Sequence, residues 1–472
     1  MYDVIIIGAG VIGSSIAREV SKYNLNTLVL EKGEDVSVEV SKANSGIVHA
    51  GFHFDDTNLK GKLSLRGKTL IKDLSKKLDF PFKENGSLVL AFNNDDLLVL
   101  AKFKENAAKR GIDTKLLTKE EILNMEPNIN ANVIAALYCK SSAIVNPYEM
   151  TIALAENACE NGVKFKFNSK VINIEKHNDI FNVFTETDTF ESKIIINAAG
   201  IYGDTINNIL SENKLHSIGV KGEYCLFDKV AGSIISSTLY PIPTKESKGV
   251  LVTPTTDGNL LVGPNAESTD GLNNTYVSSS TLSNILNTGK NYVNNLQTNR
   301  VITTFAGVRP KLQEHTDFII EECSDVKNFI NVLGIDSPGL TAAPAIGEYV
   351  CSIIQSLIFT TKKENFKYTR KGILKFSTLS LSEKNKLIKS NPLYGKIICQ
   401  CEMITEGEVV DAINRPLGAT TLDAVKRRTR ATMGGCQGTG CMLPVLNILS
   451  RELNKDITSI NKNNTNSFIV TK

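Results

Sequence analysis

The chain has 472 residues, 42% hydrophobic and 22% charged, which is ordinary globular composition at a length sufficient for two or three domains. A formal net charge of +3, with no basic stripe interleaved with aromatics, argues against nucleic acid as a partner. No apolar run is long enough to span a bilayer and Asp3 interrupts any signal-peptide pattern, so the expectation is a cytoplasmic protein, with peripheral contact to the inner face of the membrane left open.

In chain order, YDVIIIGAG reads as a buried strand ending in a glycine turn, VIGSSIAREVSKYN as a helix, and TLVLEK as a second strand ending at Glu31. Gly8, Gly10 and Gly13 form G-x-G-x-x-G: Gly8 permits the tight turn, Gly10 lets a pyrophosphate approach the backbone, and Gly13 lets helix and strand pack closely. The positive helix terminus meets the phosphates, and Glu31 stands where a ribose hydroxyl is bound. The alternative is a structural glycine turn; the flanking strand, helix and acid favour a dinucleotide. The motif leaves FAD and NAD both open. SKANSGIVHAGFHFD, residues 41–55, then places small polar residues and glycines around His49.

Thr118 and Glu121 have capping-box spacing, and NPYEMTIALAENACENG predicts a helix with Pro147 near its first turn and Gly162 beyond its end. KFKFNSKVINIEK reads as a strand carrying Val171, and IIINAAGIYGD as a strand running into a second glycine turn at Ala199 and Gly200. GVLVTPTTDGNLLVGP predicts a hairpin about Asp257-Gly258, and STLSNILNTGKNYVNNL an amphipathic helix. TTFAGVRPKL is a strand bearing Arg309, and NFINVLGIDSPGLTAAPAIGEYV is strand, glycine-rich loop, then helix.

Over about residues 1–360 these motifs resemble the glycine/D-amino-acid oxidase-like family of FAD flavoproteins. The resemblance implies an α/β protein, with a Rossmann-like FAD-binding domain interleaved with an α+β substrate domain. It implies FAD contacts from Gly8, Gly10, Val11, Ile12, Gly13, Glu31, Lys32, Asn44, Ser45, Gly46, Val48, Val171, Ala199, Gly200, Gly307, Gly334, Gly339, Leu340 and Thr341. His49 is the expected base for a hydroxyl proton, with mere bonding to the flavin or a carbonyl as its alternative. Arg309 is the expected anion binder, its planar fork suiting carboxylate or phosphate; an interdomain salt bridge is the alternative. Lys221 and Tyr224, in VKGEYCLF, are expected to line the same pocket, with Lys311 a weaker addition and His53 read as loop surface. NSGIVHAG and KGEY look like motifs of the glycerol-3-phosphate dehydrogenase and oxidase and L-2-hydroxyglutarate dehydrogenase subfamilies. That resemblance implies hydride transfer from a small anionic hydroxy substrate to flavin, sn-glycerol 3-phosphate leading, with L-2-hydroxyglutarate or an amino or imino acid as alternatives. A different class of reading is a redox-responsive binding protein that keeps FAD without turnover.

Residues 361–396 are rich in lysine and polar groups and read as a connector. Beyond them Cys399 and Cys401 form C-x-C, and after 34 intervening residues Cys436 and Cys441 form C-x4-C. Zinc more often takes C-x2-C pairs or histidines, while a [2Fe–2S] cluster also needs four thiolates. Thr405 and Glu408 have capping-box spacing, and MLPVLNILSREL predicts a final helix with Pro444 in its first turn. CQCE and KRRTRATMGGCQGTGC resemble the bacterioferritin-associated ferredoxin-like [2Fe–2S] domain. That implies a small helical cluster-binding domain over 397–453 with these four cysteines as ligands. Arg427, Arg428 and Arg430 are expected to offset the cluster's charge, and the tail 454–472 to be loosely ordered. Reduced FAD then needs an outlet: a partner flavoprotein, an iron–sulfur protein or a quinone. Cys139, Cys159, Cys225, Cys323 and Cys351 read as mostly buried small hydrophobes.

Overall fold

Val4, Ile5 and Ile6 are completely buried, so the first strand, Tyr2–Ile7, must lie in a sheet covered on both faces. The computed structural model, which describes residues 1–54, 56–243 and 249–471, puts that strand at the centre. It runs parallel to Thr27–Leu30 on one side and to the second half of Thr189–Asn197 on the other. Lys164–Lys166 and Phe329–Leu333 extend the parallel order outward. The first half of Thr189–Asn197 instead joins an antiparallel meander with Ile180–Thr185 and Val171–His177. Strand alternation sorts the core: Val4, Ile6 and Val29 pack with Ile16, Ile152 and Ile346 of three helices, while Ile5, Ile7 and Leu28 meet Phe181 and Ile206 on the other face.

One predicted element divides. The strand expected over KFKFNSKVINIEK becomes Lys164–Lys166 and Val171–His177. Asn168 adopts φ +50°, and the Ser169 N–H bonds the Glu31 carbonyl, turning the chain between them.

The segments around 87–139 and 217–312 build a second, nine-stranded sheet, so the two parts are interleaved as expected. Its spine is the antiparallel pair Ser217–Phe227 and Val301–Leu312. The predicted hairpin pairs Leu251–Pro254 with Leu260–Gly263, and the helix Ser279–Tyr292 covers one face through Ile285. The Thr118 capping box opens the helix Lys119–Met125.

The C-terminal part is helical: Glu406–Asn414, Leu422–Thr429 and Met442–Leu453 follow a short hairpin and enclose their own core of Val409, Val425, Val445 and Leu449. Its tail differs from expectation. Ile460 is buried, and the Leu422 and Asp423 N–H groups donate to the carbonyls of Asn461 and Lys462, so the tail is part of this domain's packing. The connector is also docked: the Lys363 N–H bonds the Lys22 carbonyl, and Arg370 pairs with the buried Glu156 at 2.5 Å.

The three arginines expected to offset cluster charge do something else. Arg427 and Arg428 bond Asp35 at 2.6 and 2.7 Å, across the boundary with the first sheet. Arg430 bonds Glu402 and, at 2.9 Å, Asp257 at the hairpin tip of the second sheet. Buried carboxylates already take up these charges.

Candidate functional site

A cavity of about 740 Å³ opens where the two sheets face each other. Its floor is the glycine turn. Gly8 has φ +104°, and a Cβ there would lie 2.5 Å from the Ala198 carbonyl oxygen; one at Gly13 would lie 1.9 Å from that of Gly8. Gly10 borders the cavity itself and is the N-cap of the helix Val11–Val20, so the cap residue offers no side chain to the helix terminus. The Val11 N–H donates to Ser41 Oγ at 2.9 Å. The Glu31 carboxylate accepts from the N–H groups of Ala9, at 2.7 Å, and Gly33, at 2.8 Å. Burial raises its pKa above the ordinary carboxylate range, against the pull of those two N–H groups. A second helix terminus, that of Gly339–Leu357, also meets the cavity without a side-chain cap, preceded by Gly334 at φ +67°. Two helix N-termini without a capping side chain on their own N-cap residues, a buried acid and a large cavity are features a dinucleotide needs.

Most of the expected cofactor residues line this cavity: Gly8, Gly10, Val11, Ile12, Glu31, Lys32, Asn44, Ser45, Val171, Ala199, Gly200, Gly307, Gly334, Gly339, Leu340 and Thr341. Gly13, Gly46 and Val48 do not. Gly13 serves helix–strand packing, Gly46 turns at φ +65° against the Val145 carbonyl, and Val48 is fully buried in the core.

On the facing wall, His49 is buried and its backbone N–H donates to Thr341 Oγ1 at 3.0 Å. Its Nε2 and Ser337 Oγ lie 3.3 Å apart, and Phe54 meets the ring edge-on with centroids 5.7 Å apart. Arg309 is half-buried; its guanidinium donates to the carbonyls of Lys221, at 3.1 Å, and Asn265, at 2.9 Å. Among the described residues no carboxylate pairs with it. Tyr224 stacks on Phe305 with centroids 4.8 Å apart.

Lys221 is a correction. Strand register puts Val220, Tyr224, Arg309 and Lys311 on the cavity face of the spine, and Lys221 on the reverse. There it pairs with buried Glu223 at 2.7 Å and donates to the Tyr276 carbonyl. Sequence reasoning also passed over Ser41, Ser337 and Tyr202, whose ring lies 3.9 Å below the Lys32 ammonium. Ser41 and Ser337 fall inside the glycine-rich motifs, which was the available signal.

The four clustered cysteines converge. All four are free thiols, Cys401 neighbouring Cys436 and Cys399 neighbouring Cys441. Cys399 and Cys441 are buried, Cys401 and Cys436 exposed. A Cβ at Gly434 would lie 2.2 Å from that of Cys401, so glycine is required there. Backbone N–H groups of Gly440 and Gly438 hold the Cys436 thiol below its ordinary pKa. Among the described residues no three or more His, Cys, Asp or Glu gather around a single-ion site. Two thiol pairs suit a two-iron cluster, which takes two thiolates per iron.

Comparison with known proteins agrees with both sites. The model of the FAD dependent oxidoreductase family matches residues 3–353, and that of the BFD-like [2Fe-2S] binding domain matches residues 397–451. This chain belongs to the FAD dependent oxidoreductase family and carries a BFD-like [2Fe–2S] domain at its C-terminal end. A glycerol 3-phosphate dehydrogenase of Caloramator mitchellensis is 48% identical over 473 residues, covering 100% of this chain and 98% of its own. The structure of L-alpha-glycerophosphate oxidase from Mycoplasma pneumoniae with FAD bound superposes with a TM-score of 0.74 at 32% identity, over 78% of this chain and 98% of that one. A mitochondrial L-2-hydroxyglutarate dehydrogenase of Arabidopsis thaliana is more distant, 24% identical over 74% of this chain and 83% of its own. The chain's cofactors are FAD and a [2Fe–2S] cluster. No helix among the described residues is long and apolar enough to cross a membrane.

Proposed function

We propose that this chain oxidises sn-glycerol 3-phosphate to dihydroxyacetone phosphate and passes the electrons to an acceptor. The carrying observation is Arg309: a guanidinium held by backbone carbonyls at the cavity wall, without a carboxylate partner among the described residues. That charge is available to a substrate anion, and Lys311 on the same face adds a second cation suited to a phosphate. FAD, when bound, supplies the acceptor for the hydride leaving the carbinol carbon. His49 takes the hydroxyl proton as that hydride leaves. Thr341 fixes the His49 backbone, Ser337 meets its ring nitrogen, and Phe54 and Tyr240 pack against the imidazole, keeping it oriented and screened from water. Arg309 sets the anion so that the reacting carbon is presented in one orientation. The electrons then go to a partner flavoprotein, an iron–sulfur protein or a quinone.

The test is an anaerobic visible-spectrum titration of iron-reconstituted protein with glycerol 3-phosphate and, separately, L-2-hydroxyglutarate. Flavin bleaching by glycerol 3-phosphate alone is expected. Bleaching by L-2-hydroxyglutarate alone would replace the assignment with its closest rival.

A further inference from the structure

The loop that follows Glu31 runs to Ser41 with no strand or α-helix of its own, yet it forms one wall of the cavity through Val38, Glu39, Val40 and Ser41. Asp35 stands in its middle, 3% exposed, with both oxygens fully engaged. Oδ2 accepts from Arg427 Nη2 at 2.6 Å and Arg428 Nη1 at 2.7 Å; Oδ1 accepts from Arg428 Nη2 at 2.8 Å and the Val36 N–H at 2.9 Å. Both arginines belong to the helix Leu422–Thr429 of the cysteine domain, which leads through Arg430 into the loop of Cys436. On the other side of Asp35, the Ser37 N–H bonds the Ala9 carbonyl in the glycine turn at 3.2 Å, and Ser41 Oγ takes the Val11 N–H. A continuous set of bonds therefore joins the domain that holds the cysteines to the turn that receives the dinucleotide. The M. pneumoniae oxidase is matched over 98% of its length by 78% of this chain, so a flavoprotein of this fold stands without the added domain. Here part of the loop's grip comes from that domain.

We propose that Asp35, Arg427 and Arg428 are positioning residues for FAD, through which the cysteine domain and the FAD site stabilise each other. This rests on the two cofactor sites and is independent of the substrate. Coupling between two binding sites is reciprocal, typically about 5–150-fold. Full-length protein loaded with cluster should therefore lose iron to a chelator more slowly with FAD bound than after FAD removal, by about fivefold or more. In Asp35→Asn and Arg428→Ala the FAD dissociation constant, read from flavin fluorescence, should rise about tenfold, and the effect of FAD on iron release should vanish. Arg428→Lys, which keeps the charge but loses the fork, should recover only part of the affinity. Iron release indifferent to FAD in the unaltered protein would overturn the proposal, and that comparison stands even if a variant fails to fold. So would variants that become easily cleaved between 361 and 396 while binding FAD with unaltered affinity, since the contact would then be only a domain tether.

Discussion

Arg309 and Lys221 differ in what surrounds them more than in charge. Arg309 faces the cavity with carbonyls for partners, whereas Lys221, on the reverse of the adjacent strand, neutralises Glu223, whose side chain is 0% exposed. Arg309→Ala should leave FAD content unchanged and lower kcat/KM for glycerol 3-phosphate by about two powers of ten, the loss of charge-assisted hydrogen bonding worth about 3 kcal/mol. Lys221→Ala should do the reverse: substrate kinetics near normal, but a lower melting temperature, because removing one partner of a buried pair costs about 3 kcal/mol or more. Comparing KM and Tm for the two variants checks both. The motif KGEY makes both Lys221 and Tyr224 visible as candidates, but only the register of the paired strand decides which of them looks inward. His49 was legible because it sits inside a glycine-rich segment; its contact with Ser337, 288 residues away, was not.

Elements were legible where a local chemical reason dictates them. The Thr118 and Thr405 capping boxes, Pro147 at a helix start and the Asp257-Gly258 hairpin all form as their residues require. The break at Asn168 was hidden because its cause is a bond from Ser169 to Glu31, far away in sequence. The glycine turn supplies a strict test: a methyl at Gly13 would meet the Gly8 carbonyl at 1.9 Å, so Gly13→Ala should yield protein without bound FAD, measured as the flavin-to-protein absorbance ratio. The helix Pro147–Glu160 supplies a pH test. Burial, with the charge of Asp257 adding, pushes the Glu149 carboxyl up to about 7 against the pull of Lys375 and Arg430. Its folded pKa exceeds its unfolded one, so this group's contribution is fully present below about 4.5 and is lost as pH rises through about 7. Glu149→Gln cannot titrate; its melting temperature relative to the unaltered protein should therefore rise between pH 5 and pH 8.

At the scale of the whole molecule, the sequence motifs separate the flavin part from the cysteine part, but not how they meet. Arg428 and Asp35 are 393 positions apart, and nothing local to KRRTR says that its charges answer carboxylates in the loop after Glu31 and at the tip of a distant hairpin. Burial alone would raise the Asp35 carboxyl, yet Arg428 and Arg427 hold it below the usual range, so this junction strengthens as the carboxylate ionises. The C-terminal domain's own core decides which cysteines reach solvent: Cys399 and Cys441 pack into it, while Cys401 and Cys436 remain on the surface. With two of the four cysteines exposed, a cluster bound by them would lie within reach of an electron-accepting partner. Cys436→Ser separates electron transfer from a purely structural role. Assayed with FAD in excess, so that any weakening of FAD binding is masked, the variant should carry no stoichiometric iron and glycerol 3-phosphate should still bleach its flavin. Turnover with a one-electron acceptor should fall to the level of cluster-free protein. Full turnover without iron would reduce the cluster to a structural staple and leave the flavin to deliver its electrons directly.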